Sequence, residues 1–249
     1  MNEIQNQVFI CFAAEDRYSI AEPLVFHLKN YGINVWYDRQ RLVMGDNRIE
    51  KNINDGAKKS PYAITIISDN TADSKCVMEE LSIIEYRYRN GEITIFPVLY
   101  EIMPQNIPSE LCWIKELIFK EADRKSGTRE ICNHIACKVT EDIKQKYKFK
   151  TIHDILYCKS AEVPKIIHML LLKYKEIDVS NLISRVTLLY TIYLIASENL
   201  TENSFDSLLV QSVFERLFSE TRLNITVDYR ELWLLENALC IWISYIFTA

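Results

Sequence analysis

The first half of this chain alternates between short β-rich runs and segments with helical spacing, and few folds accept that alternation. Five runs carry the strand signal: "QVFICF" (7–12), "INVWY" (33–37), "YAITII" (62–67), "ITIFPVL" (93–99) and "KELIF" (115–119). The third and fourth are nearly unbroken apolar stretches, as expected of strands covered on both faces. Between them, Ile20, Leu24, Leu28 and Tyr31 recur at three and four residues, and Gly32 supplies a stop. Ser19 and Glu22 have the spacing of a capping box, and Pro23 falls near the first turn. Over Asp46–Lys59, Ile49, Ile53 and Ala57 share a face, with Asp46 as the expected N-cap. Further helices are expected over 74–90 and 128–146. The pattern predicts a parallel sheet with helices on both sides.

Such a sheet binds ligands beyond the carboxyl ends of its strands, near the point where strand order reverses. The loops to inspect are therefore Ala13–Tyr18, Asp38–Gly45, Ser68–Lys75 and Tyr100–Ile107. None is rich in glycine, and neither G-x-G-x-x-G nor a P-loop occurs. After about residue 148 strand signals nearly vanish. Segments 151–158, 161–176, 179–197, 203–219 and 228–247 carry Leu, Ile and Tyr at helical spacing, Pro164 suits a first turn, and Asp228 with Glu231 marks another helix start. The domains expected are 1–148, built on the sheet, and 149–249, all helical.

Composition excludes several classes. Residues 1–150 hold 21 basic and 22 acidic side chains and residues 151–249 hold 8 and 12, so neither half offers the clustered cations that nucleic-acid binding needs. No apolar run reaches the roughly 20 residues of a membrane span; Leu182–Ala196 contains Arg185, and Ala238–Ala249 is shorter. The seven cysteines (Cys11, Cys76, Cys112, Cys132, Cys137, Cys158 and Cys240) are odd in number and form no C-x-x-C. The opening residues lack a secretory pattern, so a reducing cytoplasm is the expected setting. Cys132, His134 and Cys137 do not suggest a metal centre, because positions two apart diverge on a helix and no fourth ligand has suitable spacing.

The segment "SKCVMEELSII" (74–84) poses the functional question, since it sets two glutamates side by side. At roughly 100° per residue, Val77, Leu81, Ile84 and Tyr88 fall within about 60° of arc and define the buried stripe. Glu79 lies opposite that stripe, facing water. Glu80 lies about 70° from its centre, at the edge of the buried face and close to the end of the third strand. Geometry alone favours a boundary acid stabilised by the helix dipole.

These residues also resemble a family. From about Val8 to Lys146 the chain is similar to a Toll/interleukin-1 receptor (TIR) domain of the soluble bacterial kind. "VFICFAAED" looks like its first strand and loop, "AEPLVFHLKNYGINVWYD" like its first helix and second strand, and "RLVMGDNRIEKNINDGAKKS" like the mobile loop and following helix. "YAITIIS", "SKCVMEEL" and "ITIFPVLY" continue the series in order. The resemblance implies a flavodoxin-like five-stranded parallel sheet. It also implies cleavage of NAD⁺ between nicotinamide and ribose, yielding ADP-ribose or a cyclic isomer, with NAD⁺ as substrate and no cofactor. The family's glutamate precedes a leucine, which places it on Glu80, followed by Leu81, and makes that residue the candidate catalytic group. It further implies that Phe12, Ala13, Trp36 and Asp38 line the substrate site. Arg39, Leu42, Gly45 and Asp46 belong to the mobile loop, and Ser68 and Ser74 flank the loop before Glu80. Cys76 stands where the family commonly has Trp, so one aromatic wall is missing. A Cys76 nucleophile is not expected, since no histidine lies nearby in sequence.

In family terms the expected partners are a second TIR domain and a separate effector protein responding to the product, within an anti-phage defence system. Nucleic acid and membrane are not expected partners. A non-catalytic TIR adaptor and a nucleoside deoxyribosyltransferase-like enzyme are the alternatives. The helical part, 149–249, resembles nothing that names its role.

Overall fold

A computed structural model describes residues 7–157, 163–199, 208–221 and 227–247. Five strands form one sheet: β1 (Val8–Cys11), β2 (Val35–Trp36), β3 (Tyr62–Ile67), β4 (Thr94–Tyr100) and β5 (Lys120–Ala122). Their order is β2-β1-β3-β4-β5 and all pairs are parallel. Register pairs Val8 with both Val35 and Tyr62, and Tyr62 with Thr94. Order reverses at β1, between β2 and β3, which puts the ligand crevice at the carboxyl ends of these three strands.

Every residue of β3 is buried, as its nearly unbroken apolar run requires. Side chains alternate across the sheet. On one face Phe9, Cys11, Ala63, Ile67, Ile95 and Leu99 join Val77, Leu81 and Ile84 of the helix α4 (Lys75–Arg89) in a single apolar cluster. Val8, Ile10, Ile64, Ile66 and Val98, of opposite parity, are buried as well. The helical stripe read from sequence is thus the stripe that packs.

Several local expectations are corrected. The fifth strand lies at Lys120–Ala122, not 115–119, because Ser109–Glu116 winds as a tight 3₁₀ helix. The helix α1 (Glu22–Asn30) follows a wider π turn over Arg17–Ala21, so Ser19 caps nothing; its hydroxyl donates to the Asp16 carbonyl at 3.2 Å. The chain then turns at Gly32, whose φ of +72° suits glycine. After a short α2 (Asp38–Arg41), α3 (Arg48–Lys51) is capped by Asn47, whose Oδ1 accepts from the Glu50 N–H at 3.2 Å. Asp46, the residue expected there, instead accepts from the Val43 N–H and from Lys51. The rest of that segment, Asn52–Ala57, is a wide π turn rather than a continuous α-helix.

By compactness the described chain divides into two units. One holds residues 7–29 and 33–132; the other holds 30–32 and 133–247. The second contains most of α5 (Arg129–Lys146), then α6 (Ile152–Tyr157), α7 (Lys165–Glu176), α8 (Leu182–Ser197), α9 (Leu208–Thr221) and α10 (Tyr229–Phe247). Asp228 caps α10 as its spacing predicts, accepting from the Glu231 N–H at 2.8 Å. Cys158 and the expected helical residues 161–162 and 203–207 lie outside the described residues. Among the described residues no helix is long and apolar enough to cross a membrane, and no group of three metal-ligating side chains converges.

Candidate active site

The carboxyl ends of β1, β2 and β3 and the first turns of α4 bring together three polar clusters. Glu80 is at the centre of the first. Its side chain is buried, with the residue 8% exposed. From the wide turn 52–57, the Asn52 Nδ2 donates to Glu80 Oε1 at 3.4 Å. Asn52 is itself 5% exposed, and its Oδ1 accepts from the Trp36 indole N–H at 3.3 Å. Cys11, the last residue of β1, is fully buried beside Glu80. Burial, then the Glu80 charge and a hydrogen bond to it, push the Cys11 thiol well above its usual range. It therefore remains an S–H at neutral pH, a weak donor. Glu79 is half-buried, not fully turned to water as the helical wheel suggested.

The second cluster surrounds Asp38. Arg17 grips its carboxylate through two bonds, at 2.8 and 3.0 Å, in the bidentate geometry that guanidinium allows. The Arg17 plane lies 5.0 Å from the Phe12 ring and 5.6 Å from the Tyr37 ring. The Arg17 Nη1 also donates to the Tyr37 hydroxyl at 3.0 Å, and that hydroxyl donates to Glu22 at 2.9 Å. The Asp38 bond raises the Arg17 pKa beyond its ordinary value, so the cation is permanent. In the third cluster the buried Asp16 accepts from the Ser68 hydroxyl and from Asn70 Nδ2 at 2.8 Å, tying the loop after β1 to the loop after β3.

The residues picked from sequence divide accordingly. Glu80 and Trp36 share the first cluster, Phe12 and Asp38 the second, and Ser68 the third. Ala13 is buried in the apolar core next to them. Ser74 and Cys76 are half-buried, before and just inside α4. The other four follow β2, Arg39 within α2 and the rest on the loop after it. Arg39 is exposed and donates to Glu22 and Tyr18, both at 3.1 Å. Leu42 is half-buried, and Gly45 is exposed with φ +101°. The exposed Asp46 carboxyl is held below its usual range by Lys51 and the Val43 N–H. A cleft of about 730 Å³ opens beside α1, walled by Tyr18, Phe26, Lys29, Tyr37 and Arg39. Of the residues expected from sequence it includes Arg39 alone.

Sequence reading missed Cys11, Asp16, Arg17, Asn52 and Asn70. The topology rule named the loop that holds Asp16 and Arg17, so a charged pair there was a usable signal. Nothing marked Asn52, whose role depends on which way a wide turn faces.

A parallel five-stranded sheet of order β2-β1-β3-β4-β5 with helices packed around it defines a flavodoxin-like α/β domain. Comparison makes the class specific: residues 8–131 match the TIR domain family, and the chain belongs to it through them. Over 117 residues the chain is 34% identical to the NAD(+) hydrolase TcpC of Escherichia coli O6:H1, an alignment covering 42% of this chain and 38% of TcpC. It is 32% identical over 102 residues to the NAD(+) hydrolase TcpA of a Theionarchaea archaeon, covering 41% and 31%. It is 30% identical over 105 residues to the 2' cyclic ADP-D-ribose synthase AbTIR of Acinetobacter baumannii, covering 42% and 39%. The chain thus spans 31–39% of the length of these relatives.

Proposed function

We propose that this protein cleaves NAD⁺ at the bond between nicotinamide and ribose, with Glu80 as the catalytic carboxylate. The observation that carries the reading is a buried glutamate, 8% exposed, on the first turns of α4 beside the last residue of β1. The names of the relatives, NAD(+) hydrolases and a cyclic ADP-ribose synthase, support the same substrate.

The chemistry suits a single carboxylate. Nicotinamide departs as a neutral ring, taking the electron pair of the C1′–N bond, and needs no proton to leave. The ribose then carries oxocarbenium character, which a fixed negative charge stabilises. Water adds at C1′ and loses a proton to give ADP-ribose; attack by an atom of the same molecule gives a cyclic isomer. Trp36, Asp38, Phe12 and Ser68 border the substrate, and Arg39, Leu42, Gly45 and Asp46 form the adjustable loop. Domain 1–148 does the chemistry, and domain 149–249 governs its access or assembly.

Self-association fits the same loop. Val43 is 70% exposed and Met44 fully exposed, two adjacent apolar side chains beside Gly45. The active form is a stack of TIR domains in the cytoplasm, its product read by a separate effector in defence against phage. NAD⁺ and a second copy of the chain are its partners, not nucleic acid or membrane.

The test incubates the full chain with NAD⁺ across a concentration series and measures nicotinamide and adenine-containing products by mass spectrometry. Release that Glu80→Gln abolishes supports the reading. Full turnover in Glu80→Gln removes Glu80 from it, and no release where the chain self-associates removes the activity.

A further inference from the structure

We propose that Asn52 is the positioning residue for the Glu80 carboxylate, oriented by the Trp36 indole N–H, and that Gly56 exists to admit that indole. The inference deepens the reading of Glu80 as the reacting acid and rests on it for its functional meaning.

Hydrogen-bond chemistry assigns the Asn52 amide without ambiguity. An indole nitrogen can only donate. The Asn52 atom 3.3 Å from Trp36 Nε1 must therefore be the oxygen, and the atom 3.4 Å from Glu80 Oε1 must be the NH₂. Reversing the amide would set two donors against each other at Trp36 and two acceptors at Glu80. Because Asn52 is 5% exposed, water is poorly placed to repair either clash. Trp36 thus acts as a key for the amide, and the amide aims a donor at the acid.

Gly56 provides independent support. It lies one turn beyond Asn52 on the same π turn. A Cβ there would come within 2.7 Å of Trp36 Nε1 and 2.6 Å of the Phe9 ring. Its φ is not positive, so the requirement is space rather than backbone freedom. The indole that fixes Asn52 occupies the volume that any larger residue at 56 would fill.

The bond from Asn52 orients the carboxylate through a neutral donor. The Asn52 amide is neutral, and the Cys11 thiol on the other strand remains protonated through burial and the neighbouring Glu80 charge. Unlike a guanidinium, such a donor does not itself offset the acid's charge. At 3.4 Å the amide bond is long, leaving room for it to shorten or yield when a ribose hydroxyl arrives.

The test uses the full chain and variants Asn52→Asp, Asn52→Leu and Gly56→Ala. Glu80 is followed by carboxyl ¹³C NMR titration, assigned with Glu80→Gln, alongside NAD⁺ kinetics and circular dichroism. Asn52→Asp has the same shape and still accepts from Trp36, but turns a second carboxylate toward Glu80. The Glu80 titration should move up by about one pH unit or more, and the acid limb of the rate profile should follow. Asn52→Leu should lower kcat by about 10- to 100-fold with KM within about twofold. Gly56→Ala should do the same to a lesser degree. A Glu80 titration identical in wild type, Asn52→Asp and Asn52→Leu, all folded, overturns the proposal. Wild-type chain that leaves NAD⁺ intact refutes the proposed activity alone, because the NMR titration still decides whether Asn52 governs Glu80.

Discussion

Two buried glutamates, one in each compact unit, sit on the opening turns of helices with an asparagine as donor, and they are held very differently. In the helical unit Glu231 is 5% exposed, accepts from Asn133 Nδ2 at 2.7 Å and is paired with Arg216. The Arg216 guanidinium lies 4.0 Å from the Tyr31 ring, and Asp228 caps the same turn. In the sheet unit Glu80 is about as buried, but its bond from Asn52 is long, at 3.4 Å, and the Cys11 thiol beside it donates to the Val77 carbonyl at 3.9 Å. A carboxylate clamped by a short amide bond and a guanidinium has its charge committed to the fold. The Asn52 bond to Glu80 is longer and comes from a neutral amide, a weaker hold than the Asn133 and Arg216 clamp on Glu231. Burial is alike at the two sites; the length and charge of these contacts differ.

The comparison breaks most decisively at the acids themselves. Glu80→Gln should lower NAD⁺ cleavage by about a thousandfold or more, a loss of roughly 4 kcal/mol of transition-state stabilisation, while the melting temperature stays within a few degrees. Nicotinamide release and calorimetry on one preparation check both halves. Arg216→Met should leave Glu231 buried without its cation and cost about 3–5 kcal/mol in urea unfolding, with kcat unchanged for the fraction that folds. An Arg216→Met chain as stable as wild type would show that Glu231, too, is only loosely committed.

The two asparagines sharpen the contrast at smaller magnitude. Asn133→Leu should cost about 1–3 kcal/mol of stability and little activity. Asn52→Leu should cost activity first, as a fall in kcat. If both variants lose mainly stability, the two sites are alike and the distinction fails.

The smallest effect is a pH dependence. Burial raises the Cys137 and Cys240 thiols to about 12 from an ordinary 9.0. A raised folded value means that the protonated form is favoured in the fold. Their contribution is therefore complete below about pH 9 and is lost as pH rises from there toward 12. Unfolding midpoints between pH 8.5 and 10.5 should fall more gently in Cys137→Val than in wild type.

Some of this was legible before any fold was known. The apolar run Tyr62–Ile67 demanded a central strand, and the spacing of Val77, Leu81 and Ile84 demanded a buried helical stripe; both formed where the pattern placed them. Asp228 announced its cap by spacing alone. The fifth strand was missed because Lys120–Ala122 has no apolar pattern and gains its extended form from pairing with Val98–Tyr100. Asp46 gave way to Asn47 as a cap because the loop closes through the Val43 N–H and Lys51. Both outcomes depend on partners that are distant or local in ways periodicity does not encode.

What the sequence alone determined is the first four strands, the buried stripe of α4, and which of two adjacent glutamates turns toward the core. Those follow from repeat distances of two and 3.6 residues, which are properties of the backbone. Tertiary structure alone decided what Glu80 meets there. The Asn52 amide and the Cys11 thiol lie against it, and the Trp36 indole holds that amide, because β1, β2 and β3 lie side by side and Gly56 leaves room for the indole. Hydrogen-bond direction and close contact are set by neighbours in space, and no spacing along the chain records them.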